Sequence, residues 1–204
     1  MVIFKIIKFI LKKTNGGIKR FIIMVYKDAF VMPELRPKDP ERRFLYPYCK
    51  GVGIDVGCGS KKTHPKAIGI DITPKGVPGK YGSETKRISQ ADICLSGDNL
   101  YIFGEGVFDY VVARHNLEHY KDPIRALKEW KRVLKKNGTL GVVLPDDDEF
   151  DTIKIDPTHK HVFTKKSFQN LLNTIGGFEI VRLETCIPKL SFVCIARKVK
   201  SDET

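Results

Sequence analysis

The chain has 204 residues, 42% of them hydrophobic and 29% charged. That length and mix suit one domain with a single substantial core and exclude a disordered or fibrous protein. The net charge of +12 admits nucleic acid or an anionic surface as a partner. The five cysteines (Cys49, Cys58, Cys94, Cys186 and Cys194) are scattered without a C-x-x-C pair, which argues against a disulfide framework and reads as reduced thiols in a cytosol.

Seven positive charges (Lys5, Lys8, Lys12, Lys13, Lys19, Arg20 and Lys27) precede the first acid, Asp28. Residues 1–13 are otherwise apolar, and Lys5, Lys8, Lys12 and Lys19 fall on one helical stripe beside Ile3, Phe4, Ile6, Ile7, Phe9, Ile10 and Leu11. The pattern predicts a basic amphipathic helix lying on an anionic membrane surface. The alternative is a helix packed on the core or on a second subunit. Lysines interrupt the run well short of the ~20 apolar residues of a membrane span, and a signal-peptide core and cleavage site are lacking. Residues 14–17 break this helix, residues 18–30 form another, and Pro33, Pro37, Pro40 and Pro47 mark an extended connector. Residues 1–48 are thus expected to be an N-terminal extension, and residues 49–200 the main domain.

Strand and helix then alternate. Residues 52–56 and 67–72 read as two strands so close together that a helix between them must be short or absent. A loop at 74–82 leads to a short strand at 88–91, and residues 107–113 form an apolar strand suited to a doubly covered parallel sheet. Asp122 and Pro123 start a helix, as N-cap and first helical residue. It is expected to run to Lys136 and stop at Asn137-Gly138. Its basic residues, Arg125, Lys128, Lys131, Arg132, Lys135 and Lys136, read as a solvated face. A strand at 139–144 follows. Thr164 then caps a helix whose apolar face is Phe168, Leu171, Leu172 and Ile175, before an antiparallel pair at 178–184 and 191–198.

The most informative stretch is residues 52–59, where an apolar run breaks into Gly57 and Gly59. Glycines there let the backbone pass close to a ligand. Asp71, on the tip of the next strand, can accept hydrogen bonds from both hydroxyls of a ribose. A dinucleotide is disfavoured, because position 62 is lysine where a third glycine is needed and Asp71 follows too soon, against roughly 20 residues in that fold.

These motifs resemble those of the class I, Rossmann-like S-adenosylmethionine-dependent methyltransferases, in the type 11 group that acts on small molecules and glycans. The resemblance runs over about residues 50–198, through Asp55-Val-Gly-Cys-Gly-Ser60, Ala91-Asp-Ile93, 108–119 and 122–140, in the family's order. It implies an α/β fold with a mostly parallel seven-stranded sheet and an antiparallel C-terminal hairpin, here with a helical N-terminal extension. It also implies S-adenosyl-L-methionine as cofactor. By resemblance Gly57 and Gly59 cradle the cofactor, Asp71 binds its ribose, and Asp92 bonds the adenine amino group with Ile72 and Ile93 against the ring. Asp55 supports the loop and approaches the methionine amino group, while His115 and Asn116 form the floor beneath the methionine moiety. For each acid the alternative is a loop or capping role.

The catalytic candidates are His159, His161 and Asp146. Asp146 follows the fifth strand, at the carboxyl edge where open α/β sheets bind substrates. His159 and His161 lie in a segment, 156–164, resembling one in methyltransferases that act on sugars and surface glycans. A histidine titrates near neutral pH and suits a base for a hydroxyl; satisfied loop histidines are the alternative. Glu118 and His119 are expected to tie loops together. The spacing of acids and histidines matches no compact metal motif, so no metal is expected.

The expectation is therefore a cytoplasmic methyltransferase, with residues 1–26 offering peripheral contact at the cytoplasmic membrane face, acting on oxygen of a saccharide or lipid-linked glycan intermediate. One alternative is a nucleic-acid or protein methyltransferase, suggested by the charge but lacking an Asn/Asp-Pro-Pro-Tyr-type motif after the fourth strand. The other is a non-catalytic cofactor-binding scaffold that docks to a membrane or partner through residues 1–26.

Overall fold

The computed structural model describes residues 39–80, 84 and 86–199. The expectations for residues 1–38, the amphipathic helix and its membrane contact among them, lie outside the described residues. In chain order the elements are α1 (Pro40–Leu45), β1 (Gly53–Val56), β2 (Ile68–Asp71), β3 (Ile93–Cys94), β4 (Phe108–Arg114), α2 (Pro123–Val133), β5 (Leu134–Pro145), α3 (Thr152–Ile155), α4 (Lys165–Ile175), β6 (Phe178–Ile187) and β7 (Ser191–Lys198). The strands form one seven-stranded sheet in the order β3-β2-β1-β4-β5-β7-β6. The first five run parallel, and β7 lies antiparallel between β5 and β6. This is the expected sheet, closed by the expected hairpin.

The pleat sends alternate residues of β4 to opposite faces. Val111 and Ala113 join one core with Ile54, Val56, Leu127, Trp130 and Phe168, against α2 and α4. Tyr110 and Val112 join a smaller core on the other face with Leu45, Val143, Val193 and Ile195. Asp122 caps α2 by accepting from Arg125 N–H, with Pro123 in the first turn, and Ala126, Leu127, Trp130 and Val133 are buried. Trp130 is wholly buried, and its indole N–H donates to the Gly97 carbonyl at 2.8 Å, so the largest core side chain leaves no buried donor unmet. Thr164 and Ser167 form the capping box of α4, which ends at Gly176 with φ +66°.

The short spacing between β1 and β2 holds no helix, as expected; residues 57–67 are turns. Three other local expectations are corrected. Residues 40–45 are helix rather than extended connector, because Asp39 caps the first turn and Leu45 is buried against the sheet. The third strand is Ile93–Cys94 rather than 88–91. Residues 88–89 pair instead with their own loop, through the Pro78–Ile88 bridge and the bond from Ser89 N–H to the Val77 carbonyl. Helix α2 ends at Val133 rather than Lys136, because buried Leu134 already pairs with Phe108 in the sheet.

The basic cluster of α2 and the start of β5 is only partly a solvated face. Arg132 bonds Glu129 and the carbonyls of Phe103 and Leu100, Lys131 reaches the Gly176 carbonyl, and Lys135 pairs with Asp109 at 2.7 Å. Three of the six charges thus pin loop carbonyls or a strand-start acid.

Candidate active site

At the carboxyl end of β1 the chain turns sharply. Gly57 and Gly59 have φ of +67° and +50°, conformations that strain any residue bearing a Cβ. A Cβ at Gly57 would meet the Asn116 amide at 2.2 Å, and one at Gly59 would meet the Glu84 carboxyl group at 2.7 Å. The close neighbours of these glycines are therefore two side chains of the protein. Gly59 N–H donates to Asp71 Oδ2 at 2.9 Å, Thr73 N–H to Asp71 Oδ1 at 2.8 Å, and Ser60 N–H to Glu84 Oε2 at 2.8 Å. Each Asp71 oxygen retains a second lone pair, and Ile72 beside it is 65% exposed. Cys58 is buried, and burial together with Asp55 and Asp71 pushes its thiol far up, so it packs and is not a nucleophile.

Without a helix between β1 and β2, side chains hold the loop. Asp55 is buried and accepts from Thr63 N–H. Burial pushes its carboxyl up, opposed first by the Arg114 charge and then by the Thr63 bond and Arg42. Arg114 donates to Thr63 Oγ1 at 3.2 Å, to the Lys61 carbonyl at 2.7 Å and to Asp39 at 3.3 Å, while Arg42 reaches the Thr63 carbonyl at 3.4 Å. Sequence motifs singled out Asp55; Thr63, Arg42 and Arg114 carried no signal, because their role depends on a loop shape that no motif encodes.

Asp92 accepts from Gly69 N–H at 2.9 Å and pairs with Lys62 at 2.7 Å and Lys75 at 3.5 Å. Burial opposes ionisation, but the Lys62 and Gly69 bonds outweigh it and lower its pKa. This favours the loop-clamp alternative for Asp92. Ile93 is half-buried in β3, and Asn116 accepts from the Tyr120 hydroxyl beside Gly57.

His115, with φ +46° and a side chain 32% exposed, is a charge-network centre. Its Nε2 lies 2.8 Å from Glu41, and its Nδ1 3.7 Å from Glu118. Burial disfavours the cation, yet Glu118 and Glu41 outweigh it and hold the pKa at about 10, so the group is an imidazolium. Glu41, from α1, also accepts from Ser191 Oγ at 2.7 Å. Burial would raise its pKa, but His115 and Ser191 lower it.

On the acceptor side the structure separates the three candidates. Asp146 is buried and paired with Lys165. His161 bonds the Lys121 carbonyl through Nε2 at 3.2 Å. His159, 8% exposed, faces Glu118 at 3.9 Å and Asp156 at 4.0 Å. Its ring meets that of His119 edge-on at 4.9 Å. Burial lowers the His159 pKa, reinforced by His119 and opposed by Glu118. The backbone fixes this arrangement: Lys160 and His161 N–H both donate to the Glu118 carbonyl, at 2.8 and 3.2 Å. Glu118 and His119 were expected only to tie loops, and they do so while joining His159.

A glycine turn after β1, an acid on the tip of β2 and a reversed final hairpin are features of the class I methyltransferase fold. Residues 54–142 match the family model described as a methyltransferase domain, and over that stretch the chain is similar to S-adenosylmethionine-dependent methyltransferases. It is similar to a methyltransferase structure from Archaeoglobus fulgidus, at 18% identity and a TM-score of 0.60 over 83% of this chain and 99% of that one. One from Aquifex aeolicus aligns at 19% identity and a TM-score of 0.56, over 81% and 96% of the two chains. Ajmaline N-methyltransferase of Rauvolfia serpentina is 27% identical over 137 residues, 62% of this chain and 45% of its own length. The chain spans less than half the length of the curated relatives it matches. S-adenosylmethionine is the family's cofactor, and the free lone pairs of Asp71 beside exposed Ile72 fit it.

The His115 network makes a stability prediction. Glu41→Ala removes the bonds from His115 and Ser191 and is expected to cost about 2 kcal/mol, with Glu41→Gln intermediate. Urea unfolding of the three proteins checks this, and equal midpoints would mean that the network carries no stability.

Proposed function

We propose that this protein transfers the methyl group of S-adenosylmethionine to a hydroxyl oxygen of a saccharide or lipid-linked glycan intermediate. The observation that carries the reading is the meeting of His159 with Glu118 and His119 beyond the carboxyl edge of the sheet, while Asp146 is neutralised by Lys165. When bound, the cofactor supplies an already activated methyl group on a sulfonium. The protein then has to hold the acceptor oxygen in line with it and assist loss of the hydroxyl proton. Asp71 holds the ribose, the Gly57–Gly59 turn passes beneath the cofactor, and His159 faces the acceptor. The relative named for N-methylation of ajmaline supports a small-molecule acceptor. The basic charge committed to carbonyls and acids on α2 weakens the nucleic-acid alternative.

Two measurements test the two halves of this site. Asp71→Ala is expected to weaken S-adenosylmethionine binding by about 2 kcal/mol or more; calorimetry that finds wild-type affinity, or a preference for NAD, would sink the assignment. His159→Ala is expected to cut methyl transfer to saccharide acceptors about 100-fold or more with cofactor affinity kept, whereas His161→Ala retains most of the turnover. Full activity in the His159 variant would leave this loop without a part in the reaction.

The lysine-striped segment 1–26 supports a lipid-linked acceptor, since it suits an anionic bilayer on which each lysine adds up to about 1 kcal/mol. The full chain is expected to sediment with anionic vesicles and to come off partly as salt rises. A chain that ignores vesicles removes that support.

A further inference from the structure

The LEH turn after β4 and the loop before α4 bring together three side chains separated by about 40 residues of sequence. Glu118 is buried, yet neither of its carboxylate oxygens has a hydrogen-bond partner. A buried carboxylate left in that condition is costly. One donor atom each from Glu118, His119 and His159 lies within 4.8 Å of the other two. His159 Nε2 stands 3.9 Å from Glu118 and 4.0 Å from Asp156, too far for a hydrogen bond and close to the span across a single bound atom. In a tetrahedral zinc shell, neighbouring donors sit about 3.4 Å apart, so the site closes with side-chain shifts on the order of an ångström.

The surroundings match a ligand set. His119 Nδ1 lies 3.3 Å from the Thr158 carbonyl and 3.2 Å from Thr158 Oγ1. A ring N–H donated to that carbonyl leaves the Nε2 lone pair outward, which is how metal-ligating histidines are usually oriented. Charge points the same way. Glu118 and Asp156 both stand within 4.0 Å of His159, and among the described residues no lysine or arginine forms a salt bridge with either. One divalent cation would neutralise this pair of carboxylates.

The geometry points to a divalent transition-metal site, formed by Glu118, His119 and His159 with Asp156 adjacent, that takes zinc and keeps an open coordination position. Two histidines and a carboxylate form the ligand set of catalytic zinc sites. The expectation of no metal rested on sequence spacing, which misses ligands that only tertiary structure assembles. In the proposed reaction, which this part of the inference rests on, the open position receives the acceptor hydroxyl. The bound oxygen would lose its proton to solvent more readily and form the O–CH3 bond as the S–CH3 bond breaks, leaving the neutral thioether, with His159 then acting as a ligand and not as the base.

The test uses the full, tag-free chain stripped with a chelator, titrated calorimetrically with Zn2+ and with Mg2+, and assayed for metal content after dialysis. The expected result is one Zn2+ per chain, little response to Mg2+, and a melting temperature that rises with zinc. Glu118→Gln and His159→Ala, whose folding is checked by circular dichroism, are expected to bind zinc at least tenfold more weakly, while Asp148→Asn binds as the wild type does. Absence of stoichiometric zinc in the wild type, or undiminished affinity in both site variants, overturns the proposal. Activity separates it from the reading it rests on. If the stripped protein turns over fully and His159→Ala does not, the ion is discarded and His159 remains as the base; if zinc binds but His159→Ala keeps full methyl transfer, the ion site stands and the acceptor reading fails.

Discussion

The buried carboxylate of Asp55 is the constraint on which the cofactor side of this protein depends. A charge at the centre of a parallel sheet is tolerable only when hydrogen bonds and counter-charges surround it. Here those are Thr63 N–H, Arg114 and Arg42. In return Asp55 fixes the far end of a loop that has no helix to stiffen it. Residues 57–63 run from the glycine turn to Thr63, and the Asp55–Thr63 bond closes that circuit inside the core. The near end is held by Gly59 N–H on Asp71. Asp55 and Asp71 therefore hold the two ends of this loop through protein bonds alone, the kind of preorganisation that lowers the ordering cost of binding.

The short stretch after β4 distributes the remaining roles. Arg114 braces the loop and reaches Asp39; His115 bonds Glu41 in α1; Asn116 fills the space above Gly57; Leu117 enters the core. Glu118 and His119 turn toward the loop that carries Thr158 and His159. Six consecutive residues thus connect α1, the glycine loop, the core and the His159 loop. The positive φ of His115 lets the chain send successive side chains to such different neighbours, and a strained backbone of this kind persists only where its surroundings over-determine it.

Much of this was legible beforehand. Strands β1, β2 and β4 are apolar runs each carrying one aspartate, the caps of α2 and α4 are local chemistry, and the glycine turn with Asp71 is a motif whose spacing and missing third glycine disfavour a dinucleotide. The absence of a helix between β1 and β2 followed from chain length. Errors arose where long-range pairing decided. Leu134 left helix geometry because Phe108 was its sheet partner, and residues 88–89 were taken by a loop bridge to Pro78. Residues 40–45 became helix because Leu45 had a core to enter.

What the sequence by itself determined is the fold and the glycine turn that faces Asp71, since both are written in local patterns: apolar runs and helical spacing, caps, and glycines that a sharp turn requires. What only the tertiary structure decided is the partner of each charged group. Asp92 went to Lys62, Asp146 to Lys165, His115 to Glu41 and Glu118, and His159 to a group formed across about 40 residues. Electrostatic partners are chosen by distance in space and by burial, which the order of residues along the chain does not carry.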